Sequence, residues 1–404
     1  DNKGLFIYLF IIYSSSGIDE VSSTILKHCK NEVMTQITDV INKSFQQGIF
    51  PSQLKHSLVY PKYKKGSTSL ASNYRPISLI CTLSKIFEKI VLSRLLTHLE
   101  NNSLLTNHQH GFRKGKSTIT AIIDLVETII DASEEGATTT GILLDFSKAF
   151  DSLSHKHLLD KLKALGIKGA AHQWFQSYLS GRTQMTEITQ VVNNRSQKFR
   201  STQAQITRGV PQGSVLGPVL FILYTNDIVS TLQDHCEIFL YADDTALIVS
   251  HKNVKELEIK AYIAACIAKQ YSQENDLVLN EDKSQQLFFC PQRRSALELP
   301  NVSTYNEAKY LGITLDSDLN WKPHVDQLCK KLSTALYVIK RLKQISNTET
   351  SRTAYFALFE SQMRYGLTVW GFSSLRNLHR VLLLQKKAIR IMAELGFRDS
   401  CRGV

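Results

Sequence analysis

The segment Glu237–Ser250, EIFLYADDTALIVS, sets two adjacent carboxylates, Asp243 and Asp244, between two apolar runs each short enough to be a strand. The pattern predicts strand, two-residue polar tip, strand, which is a hairpin. Like charges crowded onto such a tip cost energy unless a cation sits between them. Upstream, Gly141-Ile-Leu-Leu-Asp145 is another apolar run ending in a carboxylate, suited to a buried strand. If these strands are neighbours, Asp145, Asp243 and Asp244 meet at one edge of a sheet. Carboxylates gathered in this way suit Mg²⁺, which binds through one or two protein carboxylates and fills its other positions with water and substrate phosphates. A pair of such ions about 4 Å apart activates an attacking 3′ oxygen and stabilises a leaving pyrophosphate. Each feature alone also has a structural explanation, because Asp-Asp is a good turn dipeptide and strands often end in Asp.

Around this centre the rhythm is α+β. Residues 18–135 read as mostly helical. Ser84 is placed to cap a helix whose Ile86, Phe87, Ile90, Val91, Leu95 and Leu99 share one stripe. A second helix carries Ile119, Ile122, Ile123, Val126, Ile129 and Ile130, with Asp124 and Glu127 facing away. Between Pro51 and Pro76 the pattern breaks into short extended pieces with Lys55, Lys62, Lys64 and Lys65 clustered. After Asp145 comes a helix with Leu158, Leu159, Leu162 and Leu165 on one face, stopped by Gly166. Ser214–Asp227 is apolar enough to be a buried helix. Beyond residue 320 the chain turns helical, with Val325, Leu328, Leu332, Leu336, Ile339 and Leu342 on one stripe and a last helix over Leu378–Leu395.

Composition narrows the partners. Lys and Arg total 48 against 36 acidic residues, a net charge of +12 that points to a polyanion, nucleic acid before membrane. The longest apolar run, Leu5–Tyr13, is less than half of the roughly 20 residues a spanning helix needs. The seven Cys include no Cys-x-x-Cys pair, which excludes a zinc ribbon and argues for a reducing compartment.

Several segments together carry a resemblance. They are Tyr241-Ala-Asp-Asp244, Leu144-Asp-Phe-Ser-Lys-Ala-Phe-Asp151 and Gly209-Val-Pro-Gln-Gly-Ser-Val-Leu-Gly-Pro218. With them stand Asn73-Tyr-Arg-Pro-Ile-Ser78, Gln109-His-Gly-Phe112, Asn280 to Ser284, and Tyr310-Leu-Gly-Ile313. In this order, over about residues 14–320, they resemble the motifs of reverse transcriptases, in wording those of non-LTR (LINE-type) retrotransposons near the jockey group. Trp370-Gly371 and Gln385-Lys-Lys-Ala-Ile-Arg390 also resemble the region downstream of the polymerase core in such elements.

The resemblance implies a right-hand polymerase: a tail over 1–17, fingers over 18–139, a palm of antiparallel sheet plus helices over 140–320, and a helical thumb with a post-thumb segment over 321–404. It implies RNA-directed DNA synthesis from dNTPs on a DNA primer and an RNA template, with two Mg²⁺ ions, for which Mn²⁺ could substitute. Asp145, Asp243 and Asp244 become the metal carboxylates and the Phe146 carbonyl an extra ligand. Phe150 lies under the incoming sugar and selects against a 2′-hydroxyl; the alternative is a core Phe. Gln212 and Gly213 approach the nucleotide or base pair, Gly allowing close backbone approach; the alternative is an ordinary loop. Arg75 and Arg113 offer forked donors to triphosphate oxygens. Lys283 reaches the leaving pyrophosphate as a general acid, and Leu311-Gly312 form the primer-gripping turn. Lys62, Lys64, Lys65, Lys386 and Arg390 are candidate phosphate-backbone contacts or plain solvated charge. Elements of this kind usually carry an endonuclease, which is expected in a longer element protein, and act in the nucleus. The competing expectation is a catalytically inactive, nucleic-acid-binding remnant.

Overall fold

The computed structural model describes residues 16–289, 299, 302–396 and 398–402, so the Leu5–Tyr13 run lies outside the described residues. In chain order the strands are β1 (His56–Tyr63), β2 (Tyr74–Ile80), β3 (Thr138–Asp145), β4 (Arg182–Val192), β5 (Arg195–Arg200) and β6 (Ala204–Ile206). They continue as β7 (Glu237–Tyr241), β8 (Asp244–His251), β9 (Gln285–Phe289), β10 (Ser303–Thr304), β11 (Glu307–Tyr310) and β12 (Ile313–Asp316). The chain forms two compact units that interleave along the sequence. The first comprises the residues up to Phe112, Phe146–Thr231 and Lys269–Leu279. The second comprises Arg113–Asp145, Leu232–Ala268 and the residues from Asn280 onward.

In the first unit, β2-β1-β4-β5 make a sheet to which β6 adds by pairing with β4. β1 runs antiparallel to β2 and parallel to β4. The helices of this unit pack chiefly on one another. The helix Thr82–Asn101 buries Ile86, Phe87, Ile90, Val91, Leu95 and Leu99, the stripe read from the sequence. Its start differs from expectation. The helix begins at Thr82 after Cys81, without a side-chain cap, and Ser84 lies inside it. Thr82 is tied instead by its Oγ1, which donates to the Val21 carbonyl at 2.8 Å. The helix Gly217–Tyr224 is apolar all round, as a helix buried on every face must be, and seven of its eight residues are buried.

In the second unit the sheet order is β10-β9-β3-β8-β7, with β3 central. A central strand covered on both faces needs apolar side chains on both, and GILL supplies them just before Asp145. The helix Thr118–Glu134 packs on this sheet and is started by a capping box. The Ser117 Oγ accepts from the Thr120 N–H, and the Thr120 Oγ1 accepts from the Ser117 N–H. Its buried face runs through Ala121, Ile122, Leu125, Val126 and Ile129, while Ile130 is 44% exposed. The buried face is therefore rotated from the expected stripe, taking in Ala121 and Leu125 and leaving Ile130 outside. The helices Lys322–Ile345 and Leu375–Met392 complete this unit. Among the described residues no helix is long and apolar enough to cross a membrane.

Candidate active site

The second unit holds the acidic centre. β7 and β8 pair from Glu237↔Ile248 to Tyr241↔Asp244, leaving Ala242 and Asp243 as the two-residue tip. Ala242 has φ +55°, a left-handed conformation that costs an L-residue roughly 1–2 kcal/mol and tends to persist at functional turns. β3 pairs with β8 from Thr138↔His251 to Asp145↔Asp244, so Asp145 stands directly across from Asp244. Burial of the Asp244 carboxyl, then the charges of Asp243 and Asp145, push it up to about 6, although the residue keeps an exposed flank. Two adjacent strands thus carry three carboxylates to one end of the sheet.

The Asn280–Ser284 turn lies against the end of β3. The Asn280 N–H donates to the Asp145 carbonyl at 2.8 Å, and the Asp145 N–H donates to Ser284 Oγ at 3.4 Å. This clamp aims Lys283, whose Nζ is 3.1 Å from Asp145 Oδ2. Tyr310 is buried, its hydroxyl pushed up by burial and then by Asp244, and its Oη has no hydrogen-bond partner among the described residues. Leu311 and Gly312 form the turn between β11 and β12, with φ +44° and +88°. The Leu311 carbonyl accepts from the Tyr365 hydroxyl, whose oxygen is also 3.1 Å from Thr118 Oγ1. A Cβ on Gly312 would sit 3.2 Å from the Tyr365 ring. Arg113 follows the exposed Phe112.

Among the described residues no three His, Cys, Asp or Glu side chains are gathered into a ready-made metal cage. The donor set nevertheless fits a hard dication. Mg²⁺ needs only one or two carboxylates from the protein, and Asp145 and Asp244 face each other across the ladder. The Lys283 ammonium now paired with Asp145 Oδ2 would have to swing aside to free that oxygen.

In the first unit, a second cluster is built around the turn Gly209–Ser214. The Gly209 and Val210 N–H groups donate to the carbonyls of Leu153 and Phe150, both at 2.8 Å. The Ser78 N–H donates to the Gln212 carbonyl at 2.7 Å, and Gln212 Nε2 donates to Asp151 Oδ2 at 2.8 Å. Burial raises the Asp151 carboxyl, against the Gln212 hydrogen bond. Gly209 has φ +76°, and a Cβ there would lie 2.6 Å from the Asp151 carbonyl oxygen, so no other residue fits without backbone movement. Phe150 is half-buried, tilted against Phe221 with ring centroids 5.1 Å apart. Phe146 bridges to Leu279.

The basic residues divide. Lys62 and Arg75 are exposed and directly opposite each other across β1 and β2, an arrangement of like charges that costs energy without an anion. Lys64 and Lys65 come next, both exposed. On the helix Leu375–Met392 in the second unit, Arg380 pairs with Asp326 at 2.6 Å, and Arg390 Nε donates to the Asp399 carbonyl at 2.9 Å. That helix face is thus partly spent on internal contacts, while Lys386 is half-buried and Lys387 exposed.

Sequence reasoning passed over Asp151, Glu88 and Tyr310 as site residues. Asp151 and Tyr310 lie inside the motifs that carry the resemblance. Glu88 had a signal of its own, a charge on the buried side of an otherwise apolar helix face.

Known proteins resemble this chain along most of its length. "Probable RNA-directed DNA polymerase from transposon BS" of Drosophila melanogaster is 28% identical over 95% of this chain and 43% of its own length. That species' "Probable RNA-directed DNA polymerase from transposon X-element" is 27% identical over 93% of this chain and 42% of its own. Its "RNA-directed DNA polymerase from mobile element jockey" is 26% identical over 93% and 41%. The chain therefore spans about two fifths of the length of these curated relatives. The family described as reverse transcriptase (RNA-dependent DNA polymerase) matches residues 61–315, the stretch that holds β3, the Asp243-Asp244 hairpin, the Gly209–Ser214 turn and Lys283, and the chain belongs to that family.

Proposed function

We propose that this chain is the polymerase part of a non-LTR retrotransposon protein, extending a DNA 3′ end with dNTPs on an RNA template. The register Asp145↔Asp244, beside Asp243 at the hairpin tip, carries the reading. Three carboxylates brought to one end of a sheet repel one another, and a cation bound among them would offset that repulsion. Two Mg²⁺ ions bound there would stabilise the attacking and leaving oxygens of the phosphoryl transfer. Asp145, Asp243 and Asp244 would hold them, with the Phe146 carbonyl as a further donor.

The remaining chemistry belongs to side chains. Lys283, swung off Asp145, hands a proton to the leaving pyrophosphate oxygen. Gln212 and Gly213 seat the nucleotide, and Phe150 closes the space where a 2′-hydroxyl would go. Lys62 and Arg75 attract phosphate, and the Leu311-Gly312 turn holds the primer. The resemblance supports the fingers, palm and thumb division and an accompanying endonuclease, and the length of the relatives supports a longer protein.

Primer extension on matched RNA and DNA templates, beside Asp243→Asn, tests this reading. Extension that the substitution abolishes supports it. Binding of primer–template with no extension by either protein would identify a non-catalytic remnant.

A further inference from the structure

Glu88 lies in the middle of the helix Thr82–Asn101 in the first unit and is 0% exposed. Its Oε2 accepts from the Val215 N–H at 2.6 Å and the Leu216 N–H at 3.2 Å, and its Oε1 accepts from Ser84 Oγ at 3.0 Å. The two amides come immediately before the helix Gly217–Tyr224 and immediately after the Gly209–Ser214 turn. The Leu216 amide, at the N-cap, is among the N–H groups a helix start leaves unpaired, and the Val215 amide precedes it. The hydroxyl of Ser214 already accepts from the Gly217 N–H at 3.0 Å.

Burial pushes the Glu88 carboxyl up, and Arg182, then the two amides and Ser84, pull it back. Arg182 is itself 1% exposed; its Nη1 donates to the Tyr178 carbonyl at 3.2 Å, and its guanidinium lies 4.8 Å from the Tyr178 ring centroid. Burying a carboxylate this deeply is expensive. The return is a pair of charge-assisted bonds at the downstream end of a turn whose upstream end is held by backbone contacts to Phe150 and Leu153.

We infer that Glu88 is a positioning residue whose side chain fixes the Gln212-Gly213 turn in the conformation that receives the incoming nucleotide. This rests on the proposed role of Gln212 and Gly213. Glu88 does not itself reach the turn's outer face; it acts through the amides of Val215 and Leu216. Reach to those amides matters more than charge against Arg182, and the two are separable by substitution. Glu88→Gln keeps an oxygen at the same distance and discards the charge, whereas Glu88→Asp keeps the charge and withdraws the oxygen.

Single-nucleotide addition by the full chain, with dNTP KM, kcat, primer–template Kd and thermal melts, reads the difference. Glu88→Asp is expected to raise the dNTP KM about tenfold, the scale of one lost hydrogen bond to a charged group, with primer–template Kd unchanged. Glu88→Gln is expected to stay within about threefold of the parent, since an amide oxygen still accepts both bonds. The reverse order, with Glu88→Gln impaired and Glu88→Asp spared, would overturn the inference and leave Glu88 as the buried partner of Arg182. A fall in kcat that tracks the melting point at constant KM in both variants would overturn it as well. Gln212→Ala keeps the two ideas apart. If it leaves KM unchanged while Glu88→Asp raises it, Glu88 still sets the turn and the role of Gln212 fails. If Gln212→Ala raises KM and Glu88→Asp does not, the role of Glu88 fails.

Discussion

Removing the Lys283 side chain should separate catalysis from stability. Its Nζ sits 3.1 Å from Asp145 Oδ2, with the two side chains 52% and 39% exposed. An ion pair that open to water is screened, and its loss should cost well under about 1 kcal/mol of folding stability. A general acid for the leaving pyrophosphate contributes far more to rate, roughly 10²- to 10⁴-fold. Lys283→Ala is therefore expected to melt like the parent while its single-turnover addition rate falls by about that factor. The Mg²⁺ concentration giving half-maximal rate should not rise, because the substitution removes a cation that competes for Asp145. Lys283→Arg sharpens the test: guanidinium keeps the pairing with Asp145 but does not give up its proton, so this variant should stay slow. Rapid-quench kinetics across a Mg²⁺ titration, beside calorimetric melts, decide the matter. A full-rate Lys283→Arg enzyme would refute the reasoning and reduce Lys283 to a counter-ion.

Three further outcomes are expected. Phe150→Val should raise ribonucleotide incorporation relative to deoxynucleotide in a competition assay, since it opens the space beside a ring now packed on Phe221; unchanged sugar discrimination would remove the role. Gly209→Ala should destabilise the protein by about 2–4 kcal/mol, through both the positive φ and the 2.6 Å approach to Asp151; a melting point within a degree of the parent would contradict that packing. His324 is buried and lowered to about 4 by burial and then Lys331, while its Nδ1 accepts from the Thr314 N–H. Its neutral form is the folded one, so its contribution is present above the unfolded value near 6.5 and is lost as pH falls through the folded value near 4, on the order of 2 kcal/mol. His324→Gln should flatten the stability profile between those pH values, and an unchanged acid slope would show that other groups set it.

Much of the acidic centre was legible from residue order. The apolar runs flanking Asp243-Asp244 drew the β7–β8 hairpin, although its tip is Ala242-Asp243 and Asp244 already belongs to β8, and GILL before Asp145 announced a buried strand. The stripe through Ile86, Phe87, Ile90, Val91, Leu95 and Leu99 is buried as its spacing demanded. Helix starts were harder: Ser84 has a good capping side chain, yet a bond from Thr82 to the distant Val21 carbonyl lets the helix begin earlier. The last helix shows the same limit, because partners on remote segments decide whether Arg380 and Arg390 face solvent or protein.

By itself the sequence determined that acidic groups would end apolar strands, because local periodicity dictates which residues a strand buries and where it stops. Tertiary structure alone decided that Asp145 pairs with Asp244, that the Asn280–Ser284 turn delivers Lys283 to Asp145, and that a carboxylate on the Thr82–Asn101 helix holds the amides beyond Gly213. Strand register and long-range hydrogen bonds depend on how distant segments fill a shared core, and no local pattern of residues encodes that choice.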